Sequence, residues 1–261
     1  MLAFVTSIRA RALAHDWAYH VRLLDRTVAS LLAQTDSNIR VVVVGHDRPE
    51  MASADPRIHF IGVDIPLPKR DFDDMTTDKG LKIAIGADWA IAQGCQFVMF
   101  ADADDLVSRR LAAFALQRPE ANGWYLKEGY SHQYGQPWVT RSRNHDQTCG
   151  TCAIVRADRL EFVNDPGFRG GRVTSFSFGR GHADFRDVMA NAGHPLAPLP
   201  FPGSIYIKHP DSIVTTRLPS TTAPTLRERL RAGRRAWHTL LDSRPVTPAL
   251  AREFTIRRSK G

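Results

Sequence analysis

Residues 39–44 read IRVVVV, an unbroken apolar and β-branched run bounded by Asn38 and Gly45. A run with no polar face reads as a strand buried on both sides, the pattern of a parallel sheet covered by helices. Three more strand-length runs accompany it, at residues 2–8, 57–63 and 96–101. Between the first two, Trp17, Val21, Leu24, Val28 and Leu31 recur every three or four residues, which is one face of a helix. Residues 79–93 read as a second helix, with Asp78 as N-cap and Gly94 past its end. Strand, helix and strand in this order predict an α/β protein, a mostly parallel sheet with helices on both faces.

Ligands in such sheets bind at the carboxyl ends of the strands. Thr6–Arg9, His46–Asp47 and Asp102–Asp105 all fall there. The last group, Asp102, Asp104 and Asp105 around Ala103, follows the buried run QFVMFA directly. Carboxylates two apart at a strand end can meet one divalent cation, and hard oxygen donors suit Mg²⁺ or Mn²⁺. The plainer alternative is an acidic strand-to-helix turn with Asp105 or Ser108 capping the next helix.

Beyond residue 123 the pattern loosens. Residues 124–138 crowd Trp124, Tyr125, Tyr130, Tyr134 and Trp138 together, as an acceptor groove would, or as an irregular excursion packed on the sheet. Residues 153–155 read as a strand, followed by a short helix through Leu160 and Phe162. Five glycines in 167–181 read as a loop. Residues 185–192 suit a helix, and 204–208 a last strand.

The chain of 261 residues carries a net charge of +8, and position decides what that means. Residues 217–261 hold eleven Arg and Lys against three acids, the whole excess, while residues 1–216 balance at 24 of each sign. The division expected is therefore a neutral body, 1–216, and a basic helical extension, 217–261. Residues 226–241 would make a helix with Leu226, Leu230, Trp237, Leu240 and Leu241 on its apolar side, a form that docks on anionic membranes or partner proteins. Nucleic acid is not expected, since no aromatic-basic platform accompanies the charge. Three cysteines, no leader-like start and no run long enough to span a bilayer point to a cytoplasmic protein, at most peripheral at the inner membrane face. Cys149 and Cys152 have zinc-ligand spacing with His145 nearby, but no second pair completes four ligands, so they read as small buried residues.

The chain resembles the family-2 glycosyltransferases of GT-A fold over residues 2–210. The matching pieces, in order, are a first strand ending TSIR, then VVVVGHD, DKGLKIAIGADWAIAQGCQFVMFADADDL, GTCAIVRADRL and GHADFRDVMANAG. The resemblance implies a GT-A-like sheet and transfer of a sugar, with inversion, from a nucleotide diphosphate-sugar donor to a hydroxyl of a glycan or other acceptor. It makes Asp102 and Asp104, with Asp105 third, holders of a Mn²⁺ or Mg²⁺ ion, and His209 a further ligand. It sets Thr6, Arg9, Asp47 and Asp102 in the nucleotide-sugar pocket. Lys79 and Lys82 share a helix face near its N-terminus, a place to meet phosphate or simply solvent. Asp184 becomes the general base, with His182 as the other candidate; for Asp184 the alternative is an N-cap. A sugar nucleotidyltransferase would want a glycine-rich loop after the first strand, and a dinucleotide enzyme a G-x-G-x-x-G motif; neither occurs.

Overall fold

The computed structural model describes residues 1–160, 162–164, 172–174, 184–209 and 241–256. A seven-stranded sheet forms the centre. Four of its strands are parallel neighbours: β3 (Ile58–Gly62), β2 (Ile39–Gly45), β1 (Leu2–Ser7) and β4 (Phe97–Phe100). Beyond β4 come the antiparallel β9 (Ala153–Arg156), then β6 (Gly123–Tyr125) and β12 (Ala197–Pro198). The mostly parallel α/β sheet expected from the sequence is thus present.

Period-two alternation explains why these strands carry no polar face. Phe4, Val41, Val43 and Met99 pack on one side against α1 (Trp17–Leu32) and α3 (Leu111–Leu116), through Leu24, Val28 and Leu111. Val5, Val42, Val44 and Val98 pack on the other against α2 (Phe72–Ala92) and α4 (Phe185–Asn191), through Ile83, Ala87 and Met189. At Gly86 the helix lies so near the sheet that a Cβ would sit 2.5 Å from a methyl of Val5.

Helix α2 starts seven residues before the expected start at 79, and this corrects the boundary. Asp71, not Asp78, is its N-cap, taking the Asp74 amide at 2.8 Å. The polar stretch DFDDMTTDKG hid the helical period. Thr76 and Thr77 turn their hydroxyls back to the carbonyls of Phe72 and Asp73, so polar residues sit inside the helix with their donors satisfied. Phe162, expected in a short helix, lies instead in β10 (Phe162–Asn164), paired with β11 (Arg172–Thr174); a 3-10 turn at Ala157–Arg159 ends before it.

A second sheet runs β14 (Ser243–Pro245), β8 (Trp138–Ser142), β7 (Gly129–Gln133), β13 (Ser204–Lys208) and β5 (Leu106–Val107). It draws on the aromatic stretch 124–138, which divides by burial. Trp124 packs on Phe97 and Phe114 in the main core, and Tyr130 in the second, while Tyr134 and Trp138 stay exposed.

Residues 243–256 are built into this sheet. Strand β14 pairs with β8, and α5 (Pro248–Phe254) buries Phe254 among Leu106, Tyr130, Val139 and Ile207. Glu253 accepts from the Ser108 hydroxyl and from Arg110 Nε. The loop expected over 167–181 is interrupted by β11 at Arg172–Thr174, and the rest of it, the expected boundary after residue 216 and the basic stretch 226–240 lie outside the described residues. Among the described residues, no helix is long and apolar enough to cross a membrane.

Candidate active site

Strand β4 ends at Phe100, and the chain turns through Asp102–Asp105 into β5. This short link joins the two sheets, so the acids stand where the parallel strands end and the second sheet begins. One carboxylate oxygen from each of Asp102, Asp104 and Asp105 can be chosen so that all three lie within 4.8 Å of one another. Like charges this close need compensation.

The three carboxylates obtain it differently. Asp102 is ion-paired with the Lys79 ammonium from α2. Burial pulls the Lys79 pKa down, yet Asp102, Asp104 and Asp105 together hold it above the ordinary lysine value. Asp104 bonds His209 Nε2 at 2.6 Å. His209 immediately follows β13, is buried, and among the described residues finds no partner for Nδ1.

Asp105 is fully buried and fully engaged. It takes the Thr151 hydroxyl at 2.6 Å, the Cys149 thiol at 3.1 Å and the Ile207 amide at 3.1 Å. Burial and then the charges of Asp104 and Asp102 raise its pKa well above the carboxylate range. Asp105 therefore fastens β13 and the 149–151 segment to the turn, and caps no helix.

Segment 149–152 was legible as a motif but not as a support. Thr151 Oγ1 accepts the Asp102 amide at 2.9 Å while donating to Asp105. The Thr151 carbonyl takes the Ser204 hydroxyl at 2.9 Å, so Ser204 in turn accepts from His145 Nε2 at 2.8 Å. Gly150 faces Asp102, where a Cβ would sit 2.6 Å from Oδ2. Burial pushes both the Cys149 and Cys152 thiols well up, so they sit there as protonated, packed side chains. Apart from the spacing of GTCA after the acids, no sequence signal announces Thr151, Ser204 or His145 as partners of this turn.

The upstream residues form a second group. Thr6 is fully buried, and Arg9 lies half-buried just beyond β1. Asp47 accepts the Arg11 amide at 2.8 Å. Lys82 is buried too, its ammonium given to Asp78 at 2.6 Å and to the Ile8 carbonyl at 3.1 Å. Burial lowers its pKa against the pull of Asp78 and Asp47. Lys79 and Lys82 thus do different things: the first reaches the acids, the second ties α2 to the end of β1.

Asp184 stands exposed at the start of α4 with helical backbone angles, and its side chain makes no capping bond. Two residues on, Arg186 approaches Asp146 at 3.7 Å and lies over the Tyr125 ring. His182 lies outside the described residues.

A divalent cation fits the donors present. Asp102 and Asp104 remain about a quarter accessible, Gly150 leaves room beside Asp102, and His209 adds one imidazole nitrogen to hard carboxylate oxygens.

No family model and no curated protein matches the chain. Among solved structures it is similar to residues 1–349 of S. aureus TarS in complex with UDP, at 13% identity and a TM-score of 0.45, covering 80% of this chain and 61% of that one. It is similar to S. aureus TarS at 14% identity and a TM-score of 0.47, covering 80% of this chain and 37% of that one. For TarS 1–349 the figures are 14%, 0.44, 79% and 60%. The chain therefore spans about three fifths or less of the length of each.

Proposed function

We propose that the protein transfers a sugar from a nucleotide diphosphate-sugar to an acceptor hydroxyl. The observation that carries this reading is the meeting of Asp102, Asp104, Lys79 and His209 at the carboxyl end of the central parallel strands. Carboxylates alone would repel a diphosphate; carboxylates with a lysine and a place for a cation make an anion site. The motif resemblance to family-2 glycosyltransferases supports the same reaction.

Asp102 and Asp104, with His209, would hold Mn²⁺ or Mg²⁺, which supplies positive charge against the departing diphosphate. Lys79 adds a second positive group on the same side. Asp47, Arg9 and the backbone after β1 would line the nucleoside end, with Lys82 and Asp78 fixing that backbone from beneath. Asp184, free of capping duty, would take the proton from the acceptor hydroxyl. The acceptor oxygen then bonds to the anomeric carbon, and the bond to the diphosphate breaks with its electron pair leaving on the diphosphate. One displacement of this kind inverts the anomeric centre.

The test is thermal unfolding with a panel of nucleoside diphosphates, with and without Mn²⁺. At least one should raise the melting temperature by about 5 °C at saturation, and Asp104→Asn should remove the effect. If no diphosphate stabilises the protein, with Mn²⁺ or without it, the reading fails.

A further inference from the structure

Among the described residues, a cleft of about 1180 Å³ opens between α1, the β7–β8 turn and residues 245–256. One of its walls touches the candidate active site. Tyr19 lines the cleft and packs edge-on against the His209 ring, centroids 5.9 Å apart, while His209 Nε2 holds Asp104. The cleft therefore ends at the group of residues proposed to carry the reaction.

Much of its lining is aliphatic, Leu23, Leu32, Val246 and Ile256 among it, and set into this are two arginines and two tyrosines. On the opposite wall Tyr134 is 48% exposed, with the Arg26 guanidinium carbon 4.2 Å from its ring centroid. Arg22 lies about one helical turn before Arg26, with its guanidinium 5.7 Å from the Tyr19 ring. Arg22 also lies 3.8 Å from Asp16 with both side chains at least half exposed, a pair that water screens. The acid on the wall, Asp25, already accepts the Ala52 amide at 2.9 Å. Guanidinium forks recognise carboxylates and phosphates, and flat aromatic faces carry sugar rings. The space exceeds the roughly 300–1,000 Å³ that suits one small molecule, so it fits a chain of rings.

We infer that this cleft binds an anionic oligosaccharide chain, with Arg22 and Arg26 taking its charged groups, Tyr134 stacking on a ring, and Tyr19 directing the chain end toward His209 and Asp104. As an acceptor site the cleft depends on the transferase reading above; as a binding site it does not.

The experiment is calorimetric titration of the full chain with hexagalacturonate and with maltohexaose, at low and high salt. Hexagalacturonate should bind, weaken as salt rises, and lose at least about tenfold in affinity with Arg26→Gln plus Tyr134→Ala; maltohexaose should bind far more weakly. Arg22→Gln alone, on an exposed side chain, repeats the test if the double variant unfolds. Equal binding of the two hexamers overturns the anionic assignment. Undiminished binding by folded cleft variants places the polyanion elsewhere on this basic chain and overturns the site. Stabilisation by nucleoside diphosphate is read in parallel. If it persists in cleft variants that have lost hexagalacturonate, both proposals stand. If no diphosphate stabilises the protein while Arg26 still governs hexagalacturonate, the transferase reading falls and the cleft remains.

Discussion

The Lys79 ammonium is ion-paired with the Asp102 carboxylate, so a basic residue of α2 already occupies one of the acids that would hold a cation. A divalent ion arriving alone competes with that ammonium; one arriving with a diphosphate does not, because the phosphate offers Lys79 another anion. Lys79→Met should therefore tighten Mn²⁺ binding to the nucleotide-free protein by about fivefold, and weaken nucleoside diphosphate binding. Paramagnetic resonance of free Mn²⁺ measures the first and calorimetry the second. Weaker binding of Mn²⁺ alone would show that Lys79 assists the cation rather than competing with it.

Gly150 is the second control on Asp102. A methyl there would sit 2.6 Å from Oδ2, and the carboxylate cannot swing freely while paired with Lys79. Gly150→Ala should lower Mn²⁺ affinity at least about tenfold, with only about 1 kcal/mol lost in stability. Resonance titration beside thermal unfolding separates the two effects, and an unchanged affinity would show that Asp102 holds no cation.

The strands were readable because their burial on both faces leaves an unmixed apolar signal, as in IRVVVV and QFVMFA. The acids were readable as a cluster because they follow a strand end, and His209 was named through the family resemblance, in the place just after the strand at 204–208. The start of α2 was not, because Thr76 and Thr77 satisfy their hydroxyls within the helix and leave its first two turns looking like loop. Nor were Thr151 and Ser204, whose bonds span 46 and 53 residues of chain and exist only once the two sheets meet. Lys82 has the residue type of a phosphate ligand but is spent within the fold, a distinction only burial makes.

Thr151 supports two acids with one hydroxyl. Thr151→Val keeps the shape, removes a donor from buried Asp105 and leaves the Asp102 amide without its acceptor. Removing a partner from buried polar groups costs about 1–3 kcal/mol. Thr151→Ser keeps the hydroxyl and should recover most of that. Chemical denaturation of the three proteins checks it; equal loss in Val and Ser variants would assign the effect to packing.

The cysteines give a test that depends on pKa direction. Only the thiolate alkylates. Burial and then nearby carboxylates, Asp105 for Cys149 and Asp102 for Cys152, hold both thiols above the ordinary value, so the thiolate fraction at a given pH falls below that of an unfolded cysteine. Cys95 is likewise buried and raised. In the native protein all three should resist iodoacetamide up to about pH 9 and react at once in denaturant. Mass spectrometry counts the adducts, and native labelling of Cys149 or Cys152 would contradict the packed arrangement.

Phe254 decides how the C-terminal stretch is to be tested. It is 1% exposed in the core of the second sheet, and Glu253 beside it holds Ser108 and Arg110. Phe254→Ala should cost about 3–5 kcal/mol, a fall in melting temperature on the order of 10 °C. A truncation after residue 240 should cost more, since it also removes β14 from β8. Loss of membrane binding on deleting 217–261 would thus report a damaged body as readily as a lost docking helix. Changing Arg227, Arg229, Arg231, Arg234 and Arg235 to Gln spares Phe254 and Glu253, so the melting temperature should hold while binding to anionic vesicles falls. Unchanged vesicle binding by that variant would remove the basic stretch as the docking element, and a Phe254→Ala protein as stable as the parent would remove α5 from the core.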